Sequence, residues 1–188
     1  IVRLKIVYYG PGLSGKTTNL KMLHRAYPQG RRGELVQLDT EVDRTLYFDY
    51  FPGDLGNMGN FQIKLDFFTV PGQLHYNQTR RMVLDGADGI VFVADSAPER
   101  EVSNLRSLQN LQENLASFGR DLSAVPHVFQ WNKRDLRRCL PISSLESDLN
   151  LYDAPSNGAI AISRIGVWET QRKIVRLTLK SFRTSQAR

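Results

Sequence analysis

Lys5-Ile-Val-Tyr-Tyr-Gly10-Pro-Gly-Leu-Ser-Gly15-Lys16-Thr17-Thr18 decides how the chain is read. The residues before Gly10 form an apolar, β-branched and aromatic run of strand type. Those after Lys16 place Leu20, Leu23 and Ala26 at helical steps. Between them, Gly10 to Thr17 matches G-x-x-x-x-G-K-[ST], and the strand–loop–helix setting is the one that gives this pattern meaning. Glycine lets successive backbone N–H groups curl around phosphate oxygens, and the following helix adds the positive end of its dipole. Gly12, Leu13, Ser14, Gly15, Lys16, Thr17 and Thr18 are therefore expected to cradle phosphates. Lys16 reaches the β- and γ-phosphates, and the Thr17 hydroxyl is suited to Mg²⁺.

Working outward, strand-like runs fall at about 2–9, 45–51, 61–70, 88–95, 125–131 and 158–163. The turn-rich Pro52-Gly-Asp-Leu-Gly-Asn-Met-Gly-Asn60 reads as a hairpin connection. A helix from near Pro98 carries Val102, Leu105, Leu108, Leu111, Leu115 and Phe118 as one apolar stripe, with Gly119 as its stop. A last helix starts near Gly166 and carries Val167, Ile174, Val175 and Leu177. Strands alternating with helices imply one α/β domain with a mostly parallel sheet of six strands and helices on both faces.

The second motif is Asn132-Lys133-Arg-Asp135, at the carboxyl end of an apolar strand, where open α/β sheets bind ligands. The Asp135 carboxylate can accept from both N1–H and the 2-amino group of guanine, donors that adenine lacks. Asn132 can bond the base and tie this loop to the phosphate loop, and the Lys133 stem can lie across the base plane.

Composition agrees with one globular domain. The 188 residues are 41% hydrophobic and 23% charged, with 25 Lys and Arg against 19 Asp and Glu. The single cysteine, Cys139, excludes an internal disulfide and multi-cysteine metal sites, and a reducing compartment is the expected setting. No apolar run has the length of a membrane span, and no signal peptide is visible. The chain opens inside a strand pattern without Met, and its start is read as trimmed. His75 is assigned to an exposed loop, and Trp131 and Trp168 to packing.

These motifs, with Thr69-Val-Pro-Gly72-Gln73, Thr40-Glu-Val-Asp-Arg44-Thr45-Leu-Tyr-Phe-Asp49 and Asp88-Gly-Ile-Val-Phe-Val-Ala-Asp95-Ser-Ala97, resemble the bacterial MglA family of small Ras-like GTPases. The resemblance runs over about residues 4–138 and 159–171, and Thr69-Val-Pro-Gly-Gln is its most specific part. It implies a P-loop, Ras-like G domain and a cytoplasmic GTP/GDP switch that uses Mg²⁺ and acts in cell polarity and gliding motility. It also implies a roadblock-domain, MglB-like partner that stimulates hydrolysis, and effectors that the sequence does not identify. By the same resemblance, Thr45 reaches Mg²⁺ and the γ-phosphate, and the Gly72 N–H meets the γ-phosphate. Gln73 orients the attacking water, and Arg44 acts as an arginine finger in cis. Switching would run through residues 27–51 and 71–85.

Three departures stand out, the third being that residues 139–158 match the family poorly. Thr69 replaces the aspartate that usually steadies a Mg²⁺-bound water. Asp66 lies three residues earlier and so faces the other side of the strand. Asp49 or a solvent network is the candidate replacement. The usual Ser-Ala-Lys behind the base is Ile160-Ala161-Ile162, in which the Ala161 N–H is left to meet the guanine carbonyl. Rival readings are a GTP-loaded scaffold with little hydrolysis, and another P-loop enzyme such as a nucleotide kinase or ATPase. Nucleic-acid binding has no basic-aromatic signature behind it. Arg172, Lys173, Arg176, Lys180 and Arg183 on the last helix read as a solvated face, the alternative being electrostatic contact with an acidic partner or membrane surface, since no lipidation motif accompanies them.

Overall fold

The computed structural model describes residues 1–38 and 48–187, so the expected roles of Arg44 and Thr45 lie outside the described residues. Seven strands form one sheet in the order β2-β3-β4-β1-β5-β6-β7. They are β1 (Val2–Tyr9), β2 (Val36–Leu38), β3 (Phe48–Met58), β4 (Phe61–Thr69), β5 (Gly89–Asp95), β6 (His127–Asn132) and β7 (Ser156–Gly158). The pairs β4-β1, β1-β5, β5-β6 and β6-β7 are parallel, while β2-β3 and β3-β4 are antiparallel.

Helices α1 (Lys16–Ala26), α2 (Asn77–Leu84), α3 (Glu101–Ala116), α4 (Ile142–Leu149) and α5 (Val167–Gln186) cover both faces. Alternation along the strands explains why. Val7, Tyr9, Phe92 and Phe129 point to a core shared with α2, α3 and α4, whereas Ile6, Tyr8, Val91 and Val128 point to one shared with α1 and α5. With side chains buried on both sides, β5 and β6 have no exposed position, as expected of nearly continuous apolar runs.

The structure differs from the sequence expectations in four places. The sheet has a seventh strand, β2, too short at three residues to leave a pattern. The expected connection 52–60 is mostly strand: β3 runs to Met58, and only Gly59 and Asn60 turn. Pro52 is tolerated there because β2 pairs only with residues 48–50, and the Gly33 N–H beside this stretch uses the proline's carbonyl (2.8 Å). Of the expected strand 158–163 only Gly158 belongs to a strand, as the end of β7; an isolated bridge between Ile160 and Ile165 and a 3-10 turn at Ala161–Ser163 follow. Finally, the α3 stripe splits. Leu108, Leu111 and Leu115 are buried, but Val102 and Leu105 are exposed. Steps of three drift by about 60° each, so Val102 ends roughly opposite Leu111. The buried position in that first turn is Asn104, whose side chain bonds the backbone N–H (3.0 Å) and C=O (2.8 Å) of Asp95.

Candidate nucleotide site

The loop after β1 is shaped by glycines with no room for a side chain. A Cβ on Gly10 would lie 2.2 Å from the Val93 carbonyl oxygen, and one on Gly15 2.2 Å from Asn132 Nδ2. Gly15 (φ 105°) caps α1 without any side chain on the helix N–H groups, and no acidic residue occupies the first turn. The free N–H groups and the helix dipole therefore open onto the loop. Ser14 and Lys16 are buried here, while Leu13 projects outward.

The Lys16 ammonium donates to the carbonyl oxygens of Gly10 (2.8 Å) and Pro11 (2.7 Å). Burial lowers its pKa to about 7, and Arg80 and Arg100 push the same way against Asp49. Such a cation gains from a nearby anion, which would return the lysine to its charged form. Lys16, Thr17, Thr18, Asp49, Thr69 and Gly72 are among the residues lining a cavity of about 600 Å³. A larger hollow of about 720 Å³ opens beside His127, Tyr152 and Lys180 at the other end of β6, but it has no glycine-rich loop and none of the motif residues.

The position of Thr69 is resolved by its neighbour across the sheet. In the β3-β4 register, where Tyr50 faces Phe68, the next pair brings Asp49 to Thr69. The Thr69 hydroxyl accepts from the Asp49 N–H and donates to the Asp49 carboxylate, each at 2.8 Å. That carboxylate also accepts from the Thr17 hydroxyl at 2.7 Å and Gln37 Nε2 at 2.9 Å. The acid missing from β4 thus has a counterpart on β3, in the same cavity. Asp66 is engaged elsewhere, by Arg3 (2.7 and 2.9 Å) and the Tyr50 hydroxyl (2.9 Å). Because Thr17 gives its proton to Asp49, its oxygen lone pairs remain available to a cation. The hydroxyl, phosphate oxygens and water held by the carboxylate would form the all-oxygen set that suits Mg²⁺. Among the described residues no cluster of three or more His, Cys, Asp or Glu could hold a metal, so phosphate and water oxygens would complete that set.

Gly72 lies directly on the phosphate loop: a Cβ there would be 2.2 Å from the Gly12 nitrogen. Gln73 follows, exposed at the cavity rim.

Asn132 joins the two motifs. Its Nδ2 donates to the Ser14 carbonyl (2.9 Å), and its Oδ1 accepts from the Ala161 N–H (3.0 Å). The Ala161 N–H, expected to meet a guanine carbonyl, here closes the base loop onto Asn132. Ile162 is 73% exposed. Lys133 (φ 66°) is swung so that its ammonium meets Asp95 at 2.7 Å, and Asp135 stands exposed beyond it. Asp95 is 1% exposed and also faces Arg100 at 3.7 Å, whose guanidinium donates to the Gly12 carbonyl. Asp95, Arg100 and Asn104 thus link the base loop to the phosphate loop. Sequence reasoning gave them no role, because no local spacing relates Lys133, Asp95 and Gly12.

A phosphate loop at the end of β1, a base loop at the end of β6 and a sheet wrapped on both faces define the fold of Ras-like P-loop GTPases. The chain is 44% identical over 178 residues, 95% of its length, to the mutual gliding-motility protein MglA of Myxococcus xanthus (strain DK1622), and spans 91% of that protein. It belongs to the MglA family. No family model matches it.

Proposed function

We propose that the protein is a Mg²⁺-dependent GTPase switch that hydrolyses GTP to GDP and phosphate, slowly when alone. The observation that carries this reading is the bond from Asn132 to the Ser14 carbonyl, which joins the base-selecting and phosphate-binding loops into one cleft. Gly12 to Thr18 hold the phosphates and Asp135 selects guanine. Mg²⁺ supplies charge neutralisation between the β- and γ-phosphates. Thr17 and Asp49 would hold it, with Thr45 joining from outside the described residues. Gln73 orients the attacking water, and Arg44, also outside those residues, adds positive charge. Phosphoryl transfer needs this positioning and charge more than covalent chemistry.

The name of the Myxococcus relative supports a role in bacterial gliding motility. Such a role is exercised in the cytoplasm through residues 27–51 and 71–85, with a roadblock-domain partner that accelerates hydrolysis. No helix among the described residues is long and apolar enough to cross a membrane. Arg172, Arg176, Lys180 and Arg183 are exposed on α5 and provide weak, salt-sensitive contact with an acidic surface, whereas Lys173 is bonded to Glu169 (2.8 Å).

Single-turnover phosphate release from GTP-loaded protein, with and without a roadblock-domain partner, tests the reading. Acceleration by the partner is expected; no release in either arm would leave the scaffold reading, which Thr69 in place of aspartate favours. Competition among ATP, GTP and XTP tests the base, and Asp135→Asn should shift preference toward XTP.

A further inference from the structure

Arg80, in the first turn of α2, is 4% exposed, and all three of its guanidinium nitrogens are used. Nη1 donates to the carbonyl oxygens of Pro71 (3.1 Å) and Gln73, and Nη2 to that of Leu74 (3.1 Å). Nε donates to Asn110 Oδ1 on α3 at 2.8 Å. Asn110 is fixed in turn, accepting from the Tyr9 hydroxyl and donating to Asn77 Oδ1 (2.8 Å). Asn114 donates to the Tyr9 hydroxyl (3.0 Å) and Asn77 Oδ1 (2.9 Å). One side chain therefore gathers three carbonyls from four consecutive residues and fastens them to α3 and to the end of β1.

Two features make this more than filling of space. Among the described residues no carboxylate lies within ion-pair distance of Arg80, so a buried cation is held by carbonyl and amide dipoles alone. The segment it holds contains Gly72, whose main chain rests on Gly12, and Gln73. A short 3-10 turn at Leu74–Tyr76 follows it, and the Tyr76 N–H reaches the Gln73 carbonyl at 3.3 Å. Its course over the phosphate loop is dictated by the guanidinium. A planar fork with five donors suits this task, whereas a lysine ammonium cannot span the same carbonyls.

We propose that Arg80 is a positioning residue for the terminal phosphate: it fixes residues 71–74 so that the Gly72 N–H and the Gln73 side chain face the γ-phosphate end of the bound nucleotide. Its effect on rate rests on the hydrolysis reading above; its effect on affinity rests on nucleotide binding alone.

The test compares the full chain with Arg80→Met, which keeps the aliphatic stem, and Arg80→Lys. Affinity for GDP and for a non-hydrolysable GTP analogue is measured by displacement of a fluorescent nucleotide, and phosphate release in a single turnover. Arg80→Met is expected to keep GDP affinity within about threefold and to slow release at least tenfold. Its preference for the triphosphate analogue over GDP should fall toward one, and Arg80→Lys should lie between. Release and preference equal to wild type would overturn the proposal. So would a loss of GDP affinity as large as the loss of rate, which marks a merely structural role. If the wild type releases no phosphate, the hydrolysis reading fails, and an unchanged triphosphate preference in Arg80→Met still overturns the positioning role. Should Arg80→Met not fold, Arg80→Lys decides on the same readouts.

Discussion

Replacing Asp49 by Asn is the most informative single change. The carboxylate is 7% exposed, accepts from three side chains and has no ion-pair partner among the described residues. For the nucleotide-free protein the substitution is cheap: Asn keeps one acceptor oxygen, the two threonine hydroxyls can rotate, and burial of a charge is relieved. Folding stability should stay within about 1 kcal/mol of wild type. With Mg²⁺ and nucleotide bound the balance reverses, because a hydrogen bond from a metal-bound water to a carboxylate is worth roughly 1.5–3 kcal/mol more than no such bond. That range corresponds to a roughly 10- to 150-fold rise in the Mg²⁺ concentration needed to retain nucleotide. Dissociation of a fluorescent GDP analogue, followed across a magnesium titration, reads this directly. Asp66→Asn, on the opposite face of β4 and bonded to Arg3, is the control and should leave the curve in place. Superimposable titrations for wild type and Asp49→Asn would refute the assignment, and a large drop in the melting temperature of the nucleotide-free variant would show that Asp49 serves the fold instead.

Other consequences are equally open to measurement. Asn132→Asp keeps an acceptor for the Ala161 N–H but turns a carboxylate oxygen toward the Ser14 carbonyl, now 2.9 Å from Nδ2; denaturant unfolding should show a loss of about 1–3 kcal/mol, with faster nucleotide release. Gly72→Ala puts a methyl 2.2 Å from the Gly12 nitrogen, so residues 71–74 must lift away; single-turnover release should fall at least tenfold while GDP affinity changes little. Burial lowers the pKa of His127 from its ordinary value, although its bond to the Val125 carbonyl works the other way. The unfolded chain then binds the proton more readily, so stability is full above about pH 6.5 and declines as pH falls from there toward the lower folded-state value. Urea midpoints across that window should show the decline, and His127→Gln should flatten it.

Local signals made the two motifs legible. Glycine spacing, a lysine and a threonine between strand and helix define the phosphate loop because the chemistry sits in contiguous backbone, and the short polar segment after an apolar strand defines the base loop the same way. The nearly continuous apolar runs of β5 and β6 revealed a sheet buried on both faces, since burial acts on every residue of such strands. The pairing of Asp49 with Thr69 was not legible, because it depends on the register between two antiparallel strands, and shifting that register by one residue would send the carboxylate elsewhere. Nor was the inward face of α3, whose threefold steps carried the apolar residues around the helix while Asn104 turned inward to Asp95. Arg80 reads in sequence as one more cation; only the packing of α2 against α3 brings it under three carbonyls of the loop beside the phosphates. Residue types and short spacings thus fixed which chemistry the chain carries, and long-range packing decided which side chains hold that chemistry in place.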